Sequence, residues 1–256
     1  MDFTLVEKRA HEFVKNSELN KVDEIGLKSF FDLPLLAVAD ASDPLFSALK
    51  KADVIGDRHL LPTEWLPEAK TIISYFLPFS AEVRKSNYNQ GLPSIKWVYA
   101  RTEGDFLNIA LRKLLINLLE ESGGKALAPA LDSRFSILEN RSNWSERHVA
   151  YIAGLGTFGL NKSLITKKGC AGRYGSVITS VYFEPVRRAY EGLYDYCTMC
   201  GECISRCPSS AITDKGKDIQ TCSNYLDEII LPKYVPRFVS CGKCQTDVPC
   251  ENQKPV

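Results

Sequence analysis

The residues best suited to chemistry in this sequence are cysteines, and most of them lie near its end. Of the nine cysteines, only Cys170 precedes residue 197; the other eight lie between positions 197 and 250. The stretch YCTMCGECISRCPSSAI has the C-x2-C-x2-C-x3-C-P spacing of bacterial ferredoxins. In a reducing compartment, such a concentration of cysteines indicates metal ligation and not disulfide bonds.

Eight thiolates can hold two [4Fe–4S] clusters, each through four cysteines. In the ferredoxin pattern, three closely spaced cysteines bind one cluster and the fourth binds the other. The pattern therefore assigns Cys197, Cys200, Cys203 and Cys250 to one cluster, and Cys207, Cys222, Cys241 and Cys244 to the other. The segment CGKCQTDVPC is irregular, because five residues separate Cys244 from Cys250. Spacing therefore supports the assignment of Cys250 less strongly than that of Cys197, Cys200 and Cys203.

Two structural zinc sites are the alternative for these eight cysteines. Zinc sites usually use separated C-x2-C pairs, so the triple spacing disfavours them. Cys170 lies outside the set and is interpreted as an ordinary thiol.

The segment GLGTFG, residues 154–159, has the letters of the dinucleotide fingerprint G-x-G-x-x-G. That fingerprint requires a strand before it and a helix after it. Here a predicted helix precedes the glycines, and a strand with a glycine-rich loop follows them, which excludes a Rossmann site. Two interpretations remain: the glycines let the backbone approach a flat, bulky ligand, or they form a tight turn without a ligand.

Hydrophobic periodicity predicts the elements that position these residues. The predicted helices cover residues 2–15, 106–122 and 142–154, the last with Asn143 and Glu146 at N-cap and N3 spacing. The predicted strands cover 33–40, 71–79, 125–132, 163–166 and 176–184, with a glycine-rich connection at 167–175.

The length and composition are those of an ordinary globular protein. The chain has 256 residues, 45% hydrophobic and 25% charged, with a net charge of +1, so no strongly basic nucleic-acid surface is indicated. The N-terminus has no export signal and no long apolar run occurs, which predicts a cytoplasmic protein. We expect two domains: an α/β substrate domain at residues 1–190 and a ferredoxin domain at residues 191–256.

Three features together resemble the epoxyqueuosine reductase family, which is related to the cobalamin-dependent reductive dehalogenases. They are GLGTFGLNKSLIT, the glycine loop ending in GRYGS, and the eight-cysteine tail. The resemblance covers roughly residues 95 to 250. It implies an α+β/α/β fold, in which a nitroreductase-like cobalamin-binding core precedes a double [4Fe–4S] ferredoxin domain.

The same resemblance implies a set of residues that contact a base-off cobalamin, and it implies that the group of Cys207 lies nearer the cobalt. Candidates that lie against the corrin are Gly154, Leu155, Gly156, Thr157, Phe158, Gly159, Asn161, Lys162, Arg173, Gly175 and Ser176. For Lys162 and Arg173, simple surface solvation is the alternative.

The proton donor implied by the resemblance is an aspartate in a short stretch before Glu-Arg. An ungapped count back from Glu146 reaches Asn140, whereas an insertion of about eight residues reaches Asp132, which we prefer because it ends a predicted strand. Glu139 and Tyr151 are further acid candidates; their alternatives are a solvated charge and a packed helix residue. Tyr99 and Arg101 are candidates for lining the substrate cavity or for capping the helix that follows.

The predicted function is that of a cobalamin-dependent iron–sulfur reductase. Electrons from reduced ferredoxin or flavodoxin would pass through both clusters to cobalt and then to a small-molecule substrate. The net charge and the end of the sequence at Val256 disfavour tRNA as the substrate. The alternatives are an electron-transfer protein that reduces a partner's corrinoid, and a flavin-dependent iron–sulfur reductase.

Overall fold

The structure is a computed structural model that describes residues 1–234 and 241–256. Its α-helices are α1 (Phe3–Asn16), α2 (Pro44–Ala48), α3 (Pro62–Trp65), α4 (Ala81–Ser86), α5 (Ile95–Glu121), α6 (Glu146–Ile152), α7 (Glu202–Ser205) and α8 (Ile219–Tyr225). Its strands are β1 (Leu35–Asp40), β2 (Thr71–Pro78), β3 (Ala126–Leu127), β4 (Ile137–Leu138), β5 (Arg141–Ser142), β6 (Gly156–Phe158), β7 (Leu164–Thr166), β8 (Gly172–Thr179), β9 (Ile212–Thr213) and β10 (Gly216–Lys217).

A four-stranded antiparallel sheet in the order β1-β2-β8-β3 organises the first part of the chain. Strand β2 is buried along its whole length, because side chains alternate between two covered faces. Ile73, Tyr75 and Leu77 pack toward α1 and α5, whereas Ile72 and Phe76 pack toward α6 and Trp144. The helices on both faces confirm the predicted mixed α/β fold.

Helix α5 is longer than predicted. Leu107, Leu111, Leu115 and Leu119 recur every fourth residue and are fully buried, which is the pattern that the sequence showed. The helix nevertheless begins eleven residues earlier, where the Ser94 hydroxyl accepts a hydrogen bond from the amide of Trp97.

Two strand predictions need correction. Residues 125–132 form a strand only at Ala126–Leu127, followed by a 3₁₀ turn at Pro129–Leu131, because proline cannot donate to a ladder. Strand β8 begins at Gly172, inside the predicted loop, and ends at Thr179 instead of residue 184. Its glycines permit the pairing with β2: a Cβ at Gly172 would lie 2.2 Å from the carbonyl oxygen of Leu77.

The start of α6 also differs from the prediction. Ser145 and not Asn143 is the N-cap residue, and its side chain makes no capping hydrogen bond. The Asn143 side chain bonds to the backbone at Arg134 and Ser136, and Glu146 turns inward to Arg112 and Ser176. A buried ion pair thus replaces the predicted capping box.

The cysteine-rich part packs directly on the first part of the chain. The amide of Phe158 donates to the carbonyl of Leu193, and the amide of Tyr196 donates to Oγ1 of Thr157 (both 2.8 Å). The buried ammonium of Lys243 donates to the carbonyl of Asn89 at 2.7 Å. The division into domains at residue 190 stays a prediction, and these bonds cross it.

Across residues 1–234 and 241–256, no helix is both long enough and apolar enough to cross a membrane.

Candidate redox site

The first predicted group of cysteines surrounds a cavity. Cys197, Cys200, Cys203 and Cys250 line one space, together with Gly159, Leu160 and Asn161 from the loop between β6 and β7. Burial, together with the neighbouring cysteines, raises the pKa of Cys203 to about 12. Cys200 is exposed and Cys203 is buried. The cavity therefore has one side toward solvent and one side toward the protein.

The cysteines of the second predicted group influence one another's pKa. Burial raises the pKa of Cys244; Cys222 and Cys207 raise it further, and Lys217 opposes them. Burial also raises the pKa of Cys241 to about 11, with contributions from Cys244 and Cys222. Cys207, Cys222, Cys241 and Cys244 are thus electrostatic neighbours. In the described part of the chain, no three His, Cys, Asp or Glu side chains converge on a point that suits a single metal ion.

The loop Gly159–Lys162 joins the two groups. The Asn161 side-chain amide donates to the carbonyl of Cys244 at 2.6 Å, and its oxygen accepts from the amide of Ser163. Asn161 is 2% exposed and lines the cavity of the first group. The left-handed backbone of Lys162 (φ 59°) turns the chain back toward β7. This loop therefore forms part of the wall between the cysteines and the sheet.

Several residues of the glycine motifs serve packing within the chain. A Cβ at Gly156 would lie 1.9 Å from the carbonyl oxygen of Ile165, and one at Gly175 would lie 2.2 Å from the hydroxyl of Tyr75. Gly154 has φ +89°, in the region that favours glycine. Leu155, Thr157 and Phe158 are buried. As predicted, GLGTFG follows helix α6 and precedes a strand, β7; the prediction missed strand β6, which lies within the motif and pairs with β7.

Four cationic side chains influence one another beside the second cysteine group; we call Arg101, Arg147, Arg173 and Lys217 the basic hollow. Arg147 is exposed, yet burial among protein atoms lowers its pKa, with a contribution from Arg173. Arg173 together with burial lowers the pKa of Arg101 to about 10. Burial opposes the charge of Lys217, but Cys244 and Cys222 outweigh it and raise its pKa. Arg147 and Lys217 are therefore electrostatic neighbours of cysteines of the second group, and Arg173 connects them to Arg101.

The basic hollow contains unsatisfied hydrogen-bonding capacity. Arg173 pairs with Asp105 at 3.1 Å through Nη2, while its buried Nε has no partner among the described residues. Arg147 donates to the carbonyl of Lys162 at 2.6 Å. Because a buried donor without a partner costs free energy, Nε of Arg173 is suited to meet an acceptor on a ligand.

A buried polar network lies behind the hollow. Arg112 donates to Glu146 Oε1 at 3.1 Å, and the Ser176 hydroxyl donates to Glu146 Oε2 at 2.6 Å. The indole of Trp144 donates to the same hydroxyl at 2.9 Å. Arg112 also donates to the carbonyl of Tyr174, the neighbour of Arg173. The network fixes β8 against α6, and the hydroxyl of Ser176 has its hydrogen-bond partners inside the protein.

The three predicted acids do not share one position. Asp132 follows the 3₁₀ turn and accepts three hydrogen bonds from Arg134, which hold the pKa of its carboxyl near 2. Glu139 is exposed in the tight turn between β4 and β5, with φ 51°. Burial raises the pKa of Tyr151, whose hydroxyl donates to the carbonyl of Glu191. The roles of all three stay predictions.

Sequence reasoning did not single out Arg147 or Lys217. A signal existed for Arg147, because it lies in ERHVAYIAGLG, which helped to align the chain with the family. Lys217 lies on the short strand β10, which pairs with β9 through only two residues each. Nothing in its local sequence distinguishes it from a surface lysine.

Comparison with known proteins first identifies a type of domain. Residues 193–213 match the family model described as a 4Fe-4S binding domain. This segment contains four of the eight clustered cysteines, Cys197, Cys200, Cys203 and Cys207.

Relatives then extend the similarity to most of the chain. An epoxyqueuosine reductase of Staphylococcus aureus is 34% identical over 116 residues, which are 41% of this chain and 29% of that protein. Another, of Leadbetterella byssophila, is 27% identical over 178 residues, 66% of this chain and 52% of that protein. The chain thus spans about half or less of the length of these relatives. They confirm the resemblance to epoxyqueuosine reductases.

Two solved structures support the same fold. An epoxyqueuosine reductase crystallised with an epoxyqueuosine-modified tRNA stem loop superposes with a TM-score of 0.57 at 20% identity, covering 100% of this chain and 68% of that chain. A reductive dehalogenase described as B12-dependent superposes with a TM-score of 0.61 at 14% identity, covering 87% of this chain and 30% of that one.

Proposed function

We propose that this chain is a cobalamin-dependent iron–sulfur reductase resembling epoxyqueuosine reductase, with a small molecule as its substrate. The observation that carries the proposal is the arrangement of the cysteines. One group of four surrounds a cavity that reaches solvent, and the other borders the basic hollow. A carrier that only exchanged electrons with a partner would not need a cationic hollow next to its second group.

The cysteines fit two [4Fe–4S] clusters. Each group offers four thiols, the ligand set that such clusters require. The four cysteines of the first group line one common space, which opens toward solvent at Cys200. The predicted crossed assignment is supported by Cys250, which lines that cavity with Cys197, Cys200 and Cys203.

The basic hollow fits a cofactor that is rich in amide oxygens and carries a phosphate. Arg173 presents an unpartnered buried Nε, and Arg101, Arg147 and Lys217 add positive charge. Lys162 lies at the rim, where its carbonyl holds Arg147. We propose that cobalamin binds in its base-off form and that the core around it is nitroreductase-like.

When bound, the two clusters supply one-electron carriers and cobalamin supplies a strongly reducing cobalt centre. The chain's own residues set the order of these groups. Exposed Cys200 makes the first group the side at which reduced ferredoxin or flavodoxin would deliver electrons. Asn161 contacts the wall of the first cavity and bonds to the backbone of Cys244, so it keeps the two groups adjacent.

A proton must reach the substrate during reduction, and Asp132, Glu139 and Tyr151 are the proposed donors. Asp132 is ionised while Arg134 holds it. It can donate a proton only after that pair opens and a buried environment raises its pKa above the ordinary value, so that the carboxyl takes up a proton. We therefore propose that the segment after residue 131 changes conformation when the substrate binds.

Anaerobic reconstitution tests the proposal. The purified protein is loaded with iron and sulfide, its iron is counted, and cob(II)alamin is added before an EPR spectrum is recorded. We expect about eight irons per chain and the spectrum of base-off cob(II)alamin. Cys222→Ser should bind less iron, and Cys170→Ser is the matched control because Cys170 lies outside the predicted ligand set.

Other results would contradict the proposal. About two zinc ions per chain and no iron would mean structural zinc sites. Eight irons without cobalamin binding would leave an electron carrier, and a flavin absorption spectrum in the purified protein would indicate the flavin-dependent reductase. Reduction of epoxyqueuosine in a tRNA stem loop would overturn the proposed class of substrate.

A further inference from the structure

We propose that Cys170 donates a hydrogen bond to the sulfur of Cys250 and thereby raises the reduction potential of the first cluster. This inference rests on the proposed function, because it assumes that Cys250 is a cluster ligand. It makes Cys170 a positioning residue: it acts on the cluster through Cys250 and not as a ligand itself.

The two sulfur atoms lie 3.8 Å apart, within hydrogen-bond distance for sulfur. Cys170 is completely buried, and Cys250 is partly buried. A thiolate that ligates iron carries no proton. The only proton available to this pair is therefore on Cys170, and the direction of the bond follows: the thiol of Cys170 donates and the sulfur of Cys250 accepts.

Backbone contacts hold the two cysteines in place. The amide of Cys170 donates to the carbonyl of Cys250 at 2.9 Å, and the amide of Ala171 donates to the carbonyl of Glu251 at 3.1 Å. Gly169 has φ +77°, and a Cβ there would lie 2.2 Å from the carbonyl oxygen of Glu251. This close approach requires glycine. The turn before β8 thus holds the two backbone segments that carry these sulfurs side by side.

A hydrogen bond to a cluster sulfur stabilises the reduced cluster, because reduction adds negative charge to the sulfurs. Cys170 is buried, so the bond acts where water cannot substitute for it. The second group has a side-chain partner of its own, since Sγ of Cys207 lies 3.4 Å from Oγ of Ser209. With Cys170 present, the first cluster would therefore accept an electron more readily than without it.

The test is an EPR-monitored redox titration of the reconstituted full-length protein. Cys170→Ala and Cys170→Val remove the donor, whereas Cys170→Ser keeps a hydroxyl donor of similar size. We expect the donor-free variants to retain about eight irons and to have a lower potential for one cluster only. The expected change is about tenfold in the reduction equilibrium, or about 59 mV for one electron. Cys170→Ser should lie close to the wild type.

Each other outcome overturns the inference. An unchanged potential in both donor-free variants would mean that the contact has no effect on the cluster. Loss of about half of the iron from these variants would make Cys170 a ligand or a packing residue. Equal shifts of both clusters would indicate a general disturbance. A wild-type protein that binds no iron–sulfur cluster would overturn this inference and the proposed function together, whereas normal iron with unchanged potentials would overturn this inference alone.

Discussion

Glu251, next to the proposed cluster ligand Cys250, is expected to anchor the end of the cysteine-rich part. Its Oε1 accepts hydrogen bonds from Nη1 of Arg84 at 2.5 Å and from the hydroxyl of Tyr88 at 3.0 Å. Its Oε2 accepts from the amide of Asp247 at 2.5 Å. The side chains of Arg84 and Glu251 are only 11% and 4% exposed. The pair connects helix α4 to the chain around Cys250.

Glu251→Gln keeps the size of the side chain and removes its charge, so buried Arg84 loses the carboxylate with which it is paired. Breaking a buried pair in this way costs about 3 to 5 kcal/mol. Because each 1.4 kcal/mol is a factor of ten, the segment that carries Cys250 should open roughly a hundred to a few thousand times more often. The exposed pair of Lys125 and Glu68, with side chains 65% and 49% exposed, is the matched control. Glu68→Gln should leave the stability nearly unchanged, because solvent screens an exposed pair.

Two assays read this effect on the anaerobic reconstituted protein. Urea unfolding gives the midpoint, and the rate of iron release to a chelator reports opening near Cys250. We expect Glu251→Gln to unfold at lower urea and to release iron much faster, while Glu68→Gln behaves as the wild type. The double variant Arg84→Met with Glu251→Gln should recover part of the loss, because it leaves no unpaired buried charge. Equal urea midpoints and equal iron-release rates in Glu251→Gln and Glu68→Gln would refute this reasoning.

Three further predictions concern the glycine motif, a buried histidine and the basic hollow. Gly156→Ala should cost about 2 kcal/mol or more in urea unfolding, because its Cβ would overlap the carbonyl of Ile165; equal stability would mean that the β6–β7 hairpin adjusts freely. Burial lowers the pKa of His59 to about 4, and neither ring nitrogen has a partner among the described residues. Since the folded pKa lies below the unfolded value, stability should fall as the pH drops from about 6.5 toward about 4. His59→Leu should lose part of that pH dependence in urea unfolding, and an unchanged slope would contradict the assignment. Arg147→Ala should weaken cob(II)alamin binding about tenfold by EPR titration without loss of iron, whereas Arg9→Ala, on the exposed face of α1, should bind as the wild type does.

The parts that were predictable from sequence are those with a short-range physical signature. The leucines of α5 recur every fourth residue, and β2 is a compact apolar run, so both elements were found. The context of GLGTFG was also read correctly, since helix α6 ends just before it. The ferredoxin spacing identified four cysteines that the 4Fe-4S domain model also covers.

The parts that were missed depend on contacts between distant segments. Glycine-rich residues 172–175 looked like a loop, but Gly172 and Gly175 are where β8 approaches Leu77 and Tyr75 of β2. Glu146 looked like a capping residue, but Arg112, thirty-four positions earlier, captures its carboxylate. The pairing of Cys170 with Cys250 spans eighty positions. Spacing along the chain carries no signal for such pairs.

The central claim is that electrons reach cobalt through the group that contains Cys207, and a stopped-flow measurement tests it most directly. The reconstituted protein with bound cob(II)alamin is mixed with a reduced flavodoxin, and the loss of the cob(II)alamin absorbance is followed. For Cys207→Ser we expect cobalamin to bind as in the wild type but its reduction to be slowed at least about a hundredfold. Reduction at the wild-type rate in Cys207→Ser, with its iron content lowered, would contradict the proposed route.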